Sequence, residues 1–337
     1  MSRPGALGPL AARGALLGML IALVPRPVLA EPSIWAQARD PALGKSTALL
    51  REAEALELSY FQQIRLHPFD RAQRLNAQVF RVREREVLEQ GGAATSPDPL
   101  LRMRLAEVYE ALQKPREATA LFEGLLAENL DPALLADLHA DLAICYAHLG
   151  RREDEIKAYT KALGFEPVPV ARASLLANRA EAYMALGDIL AAVEGYRASL
   201  SLLSTPAEMF FRGSTALWGL GVALDRSGDL DGAIEAIRVA RLYDDKDINI
   251  NGPEWFYAPS YDEHWYKALG HWSAARAATL GAARAEHYGR AVQALHEYVT
   301  EAPPGDRWLP LARARLAQCE KERDPGRRAV PGTPRKR

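Results

Sequence analysis

The feature that most restricts what this chain can fold into is a repeat. Tyr109, Tyr146, Tyr183 and Leu224 stand 37, 37 and 41 residues apart, and the sequence around each anchor returns in register. Three residues before each anchor comes a small one: Ala106, Ala143, Ala180 and Gly221. Four after come Gln113, Gly150, Gly187 and Gly228, and nine after come Ala118, Glu155, Ala192 and Ala233. Thirteen after stand the bulky Phe122, Tyr159, Tyr196 and Ile237, and sixteen after stand Leu125, Ala162, Ser199 and Ala240. A period of this length belongs to stacked hairpins, in which each unit buries its apolar face only against its neighbours. Small residues recur where two helices cross closely. The glycines fall where the first helix of each hairpin must stop, in a left-handed conformation that glycine tolerates. Pro99, Pro132 and Pro206 sit at helix starts, where a missing N–H costs little, and Asp98, Asp131 and Thr205 precede them as caps. No run of alternating β-branched residues competes. The fold class expected is all-α, an α-solenoid of stacked helix-turn-helix units, with four repeats over 99–247.

The best unit reads Leu142-Ala143-Ile144-Cys145-Tyr146-Ala147-His148-Leu149-Gly150, followed by Ala158-Tyr159, Ala162 and Pro167. The next, from Asn178 through Tyr183 and Gly187 to Asp188, is nearly as good. This pattern resembles the tetratricopeptide repeat family over under half of the chain. It departs from the family where Glu155 and Leu125 replace small residues, Arg179 replaces a leucine and Gln113 replaces the turn glycine. The units are also longer than the family's 34 residues. The resemblance implies that the first helix of each unit lines a concave groove. Carried onto this sequence, the groove residues are Met103, Glu107, Ile144, His148, Glu181, Met184, Trp218 and Val222. The family's carboxylate-binding mode needs lysine on these helices, and none of the four carries one. The groove is then apolar and mildly acidic, and suits an apolar or basic peptide or helix.

Residues 1–30 read as a cleavable export signal: Arg3 and Arg13, an apolar stretch over 14–24, then Val28-Leu29-Ala30. The apolar run is too short to span a bilayer, which needs about 20 residues, and no second long apolar stretch follows. Cys145 and Cys319 are the only cysteines, so no disulfide framework is expected, and a periplasmic location fits both facts. Removing Arg3, Arg13 and Arg26 takes the formal charge from −1 to −4. Setting aside a tail from Lys321 with seven basic residues against Glu322 and Asp324 leaves a body near −9. An acidic body argues against nucleic acid as partner.

Residues 31–90 read as an N-terminal hairpin or cap, with helices over Pro41 to Leu66 and Asp70 to Gln90. An ordered insertion is expected over 248–260, then a degenerate fifth repeat over 261–304 and a C-terminal capping helix over 305–322. The basic tail, 323–337, reads as disordered, with contact to anionic lipid or cell-wall polymer as its sharper reading. Between insertion and fifth repeat lies an aromatic segment: Trp255, Phe256, Tyr257, Tyr261, Trp265, Tyr266 and Trp272. Either these rings pin the insertion onto the array or they anchor a peptide.

No motif carries chemistry. Gly44-Lys45-Ser46-Thr47 lacks the earlier glycine of a phosphate loop, since Arg39 stands there. His264 and His271 are seven residues apart, not the three or four that a helical metal site prefers. Neither metal, cofactor nor catalytic residue is expected. The reading is a protein-binding scaffold or adaptor of the cell envelope, with an obligate subunit of an envelope machine as the alternative.

Overall fold

A computed structural model of the chain describes residues 32–66, 71–251 and 256–324. The export signal and all of the basic tail from residue 325 lie outside them, as does Trp255. Every regular element among the described residues is helical. In chain order these are α1 (Ile34–Arg39), α2 (Pro41–Leu66), α3 (Arg71–Gln90), α4 (Pro99–Ala111), α5 (Pro115–Leu126), α6 (Pro132–His148), α7 (Arg152–Phe165), α8 (Pro169–Leu186) and α9 (Ile189–Ser201). A single turn, Pro206–Glu208, and a π-helical stretch, Met209–Gly213, lead into α10 (Ser214–Arg226). Then come α11 (Leu230–Tyr243), α12 (Asp262–Ala277), α13 (Gly281–Glu301) and α14 (Leu309–Arg323). The helices pair with their sequence neighbours, which gives the all-α, tetratricopeptide-like construction that the periodicity implies.

The turns show why the period exists. Gly150, Gly187 and Gly228 have φ of 71°, 85° and 100°, and Gln113 adopts φ 58° in the same place. At each turn the residue after it donates its N–H to the anchor's carbonyl: Lys114 to Tyr109, Arg151 to Tyr146, Asp188 to Tyr183, Asp229 to Leu224, all at 2.8–2.9 Å. These bonds satisfy carbonyls that the ending helix would leave bare. The helix starts are equally local. Asp98 accepts from the N–H of Leu100, Asp131 from that of Ala133, and Thr205 from that of Glu208.

The chain divides into two compact units: the described residues up to Ala182 with Ser201–Arg212, and Tyr183–Leu200 with the described residues from Gly213. In the first, the core joins Met103, Ala106, Phe122, Leu138, Leu142, Cys145, Tyr159 and Leu175. A second cluster fixes α2 and α3 on α4 through Ala53, Leu88, Leu101 and Leu105. Beside it the buried Arg104 binds Glu84 and reaches Glu57 at 2.9 Å and Glu107 at 3.1 Å. Arg81 spans the same Glu57 and Glu84 at 3.2 and 3.0 Å. Burial alone would push the Glu84 carboxyl up, and the two guanidiniums oppose that.

In the second unit α10 pairs with α11, α12 with α13, and α14 closes on α13. Gly221, three residues before its anchor, shows what the small position is for. A Cβ there would lie 2.9 Å from Ile237 and 3.2 Å from the carbonyl of Ala233. After α11 the chain is held by Asp244, whose carboxylate accepts from the N–H groups of Ile248 and Asn249 at 2.9 and 2.8 Å. The insertion therefore begins as a turn built on one buried aspartate. The fifth hairpin is more regular than its sequence suggests, because α13 extends well beyond the stretch resembling a repeat helix, from Gly281 to Glu301.

Candidate functional site

The eight groove residues divide into two groups. Met103, Met184, Trp218 and Val222 are buried. Met103 belongs to the core of the first unit, and Trp218, 4 % exposed, lies against Gly270, where any Cβ would come within 2.7 Å of its ring. Side chains buried to this degree in a tightly packed interior leave no face for a ligand. These four are corrected from groove residues to packing residues. Glu107, Ile144, His148 and Glu181 keep partial exposure, and all four belong to the first unit.

Around those four the first helices of the first unit, α4, α6 and α8, form an acidic face. Glu107 and Glu110 come from α4, Asp137 and Asp141 from α6 and Glu181 from α8, each partly exposed. Their proximity is legible in what they act upon. Burial raises the Cys145 thiol, and Glu110 and Asp141 raise it further. Burial raises the Tyr159 hydroxyl most, and Glu155, Glu181 and Asp141 add to it. His148 Nε2 lies 3.5 Å from Glu110 across the α4–α6 boundary. Beneath the face sits Glu155, 3 % exposed, bound by Arg152 at 2.7 Å. Burial pushes its carboxyl up to about 6 against the opposing pull of Arg152 and His148. The sequence reading named Glu107, His148 and Glu181 but passed over Glu110, Asp137 and Asp141. Their spacing on successive first helices was the signal available.

The aromatic segment is mostly interior. Trp265, Trp272 and Tyr266 are buried. The Trp265 indole N–H donates to the buried Asp225 at 2.9 Å, and Arg315 donates to the same carboxylate at 2.6 Å. Arg226 lies over the rings of Trp265 and Trp308, at 4.9 and 5.0 Å, and binds Asp262 at 2.8 Å. Tyr261 and Tyr298 both donate to Asp306, at 2.9 and 3.1 Å. Trp272 donates to Glu322, which also accepts from Tyr288 and Arg276. Phe256 is exposed and Tyr257 and Tyr261 are partly so. The buried rings fasten α10, α12, α13 and α14 together, and offer a peptide no surface. One of them reaches the insertion as expected: the Tyr266 ring meets that of Tyr257 edge-on, with centroids 5.2 Å apart, while just ahead of the insertion Arg241 grips Asp247 at 2.7 Å.

Among the described residues no group of histidine, cysteine and carboxylate side chains is arranged to hold a metal ion, and Cys145 and Cys319 are buried free thiols. No described helix is long and apolar enough to cross a membrane. No protein-family model matches the chain, and no curated protein matches it. Among solved structures, a crystal structure of MamA shares 17% identity over 53% of this chain and 97% of its own, with a TM-score of 0.42. The Cut9–Hcn1 hetero-tetramer of the APC/C shares 12% over 83% of this chain and 50% of its own, with a TM-score of 0.46. BtubC (BKLC) from P. vanneervenii shares 17% over 86% and 97%, with a TM-score of 0.39. Scores this low carry no functional argument, so the site must be read from this chain's own residues.

Proposed function

We propose that this chain is a non-catalytic adaptor of the cell envelope, exported to the periplasm, that holds a basic segment of a partner protein. The binding face is formed by α4, α6 and α8. One observation carries the reading: four carboxylates, Glu110, Asp137, Asp141 and Glu181, lie partly exposed on three successive first helices whose arginines, Arg102, Arg104, Arg172 and Arg179, stand on α4 and α8 alone. Ile144, partly exposed among them, adds an apolar contact for the stem of a lysine or arginine. Complementary charge of this kind speeds encounter and selects against acidic partners. Export is supported by the charged and apolar pattern of residues 3–30.

The test is fluorescence anisotropy with labelled lysine-rich, apolar and glutamate-rich peptides, comparing the wild type with a Glu110→Gln/Asp141→Asn/Glu181→Gln variant. Only the lysine-rich peptide should bind, and its affinity should fall by about 3- to 150-fold in the variant, each of the three lost charge pairs counting for about 0.2–1 kcal/mol. Binding should also weaken with added salt. Equal binding of the lysine-rich peptide by both chains would sink the assignment.

A further inference from the structure

In the second unit, the polar groups around the α12–α13 hairpin do not balance. The acceptors are used up. Arg241 donates through Nε and Nη2 to Asp247 at 3.0 and 2.7 Å, and through Nη1 to the carbonyl of Gly270 at 2.6 Å. Glu286 accepts from Arg290 at 2.7 Å. Two ring nitrogens beside them lack partners. His271 follows Gly270 directly, and its ring stacks on that of His287 with centroids 5.7 Å apart and planes at 28°. His287 Nδ1 is buried with no protein partner, and so is Nε1 of Trp218, whose ring lies 5.2 Å under Arg241. Arg290 stands one helical turn beyond His287 on α13. Buried polar atoms without partners are few in folded proteins, and each needs an explanation.

We propose that His271, His287 and Arg290 form a proton-linked site for a compact oxyanion, a carboxylate or a phosphate group. An anion there supplies an acceptor for the unpartnered ring nitrogen of His287 and the counter-charge that protonated imidazoles would need. Without it, two imidazoliums at this separation would repel each other beside two guanidiniums. The electrostatics agree: burial, then His287, Arg241 and Arg290, hold His271 down to about 4, with Asp247 alone opposing. Asp247 is the carboxylate that acts on His271, and both it and Glu286, the partner of Arg290, are already held by their arginines. Binding an anion favours the charged imidazoles, so the ligand takes up protons as it binds. Affinity then rises as pH falls, by up to about tenfold per pH unit for each proton taken up. The site shares no residue with the acidic face, so either proposal can fail alone.

The experiment is a pH titration of histidine ring C–H resonances by NMR on the full chain. It is run in chloride at matched ionic strength, then with inorganic phosphate, then with a glutamate-rich peptide. Phosphate or peptide should move the His271 and His287 midpoints up by about one pH unit or more. His264, held between Glu297 at 3.2 Å and Glu301 at 3.1 Å, serves as the reference that stays put. A response to both probes establishes a general oxyanion site. Response to the peptide alone assigns it to a partner's carboxylate, and response to phosphate alone to a phosphate group. His287→Gln should abolish the shift at His271; if that variant does not fold, Arg290→Gln, an exposed exchange, should reduce it. Unmoved midpoints with both probes, or an equal shift at His264, overturn the site.

Discussion

Glu155 gives the sharpest test of how this array is held together. It stands nine residues after Tyr146, where the other repeats carry Ala118, Ala192 and Ala233. It is 3 % exposed, and burial pushes its carboxyl from 4.5 up to about 6 in spite of Arg152 and His148. That gap is worth ~2 kcal/mol, at about 1.36 kcal/mol per pKa unit. The folded chain therefore binds the Glu155 proton more tightly than the unfolded chain does. The stability linked to that proton is fully present below 4.5 and is lost as pH rises through about 6. Glu155→Gln keeps an acceptor for Arg152 and removes the titration. Urea unfolding of both chains at about pH 4.5, 6 and 7.5 gives the comparison, provided the slopes agree. Relative to wild type, the glutamine chain should gain ~1.5–2 kcal/mol between the lowest and highest pH. Parallel pH curves for the two chains would refute the argument, because they would show that burial does not govern this carboxyl.

Three further outcomes are expected. Gln113→Gly should stabilise the chain by about 0.5–1 kcal/mol, because glycine adopts the left-handed turn without the steric cost that a side chain meets there; thermal unfolding reads it. Trp265→Ala should cost about 3–5 kcal/mol or more, through the lost volume and through the donor removed from the buried Asp225. Loss of near-ultraviolet dichroism and a lower urea midpoint would report it. Met184→Glu places a charge at a buried position and should give a chain that is degraded or aggregated, whereas Glu181→Gln, three residues away and partly exposed, should leave the unfolding free energy from urea titration within about 0.5 kcal/mol of wild type.

What could be read from the sequence was what is decided locally. Helix stops, proline starts and aspartate caps depend on a few adjacent residues, so Pro41–Leu66 and the four turns were visible at once. Even Gln113, read as a departure from the turn pattern, keeps the turn's geometry, because the bond from Lys114 to the Tyr109 carbonyl is a backbone one. What could not be read depends on which side of a helix meets a neighbour. Met103 and Glu107 are four residues apart on one helix, yet the first is core and the second partly exposed. A linear spacing borrowed from a family cannot decide that. Nor could the sequence pair Asp225 with Trp265 and Arg315, since nothing local marks two carboxylate partners so far along the chain. The acidic face lay between these cases. Its residues sit on recognisable helices, but their grouping emerges only when the helices are stacked.

The bond between Asp225 and Arg315 joins residues 90 positions apart, and it sets an order of events as the chain emerges N-terminus first. In the first unit the buried charges find their partners early: Arg104 meets Glu84 across 20 residues, and Arg81 meets Glu57 across 24. The ion pairs of that unit need nothing from the last helices. Asp225 must wait until α14 has emerged, and until then a carboxylate meant for the interior stands open beside unburied tryptophans. Unfinished apolar surface of this kind is what chaperones and proteases recognise. A chain cut short ahead of Arg315 would therefore carry one finished unit and one that advertises its own incompleteness, so that quality control has a built-in means of telling whole copies from partial ones.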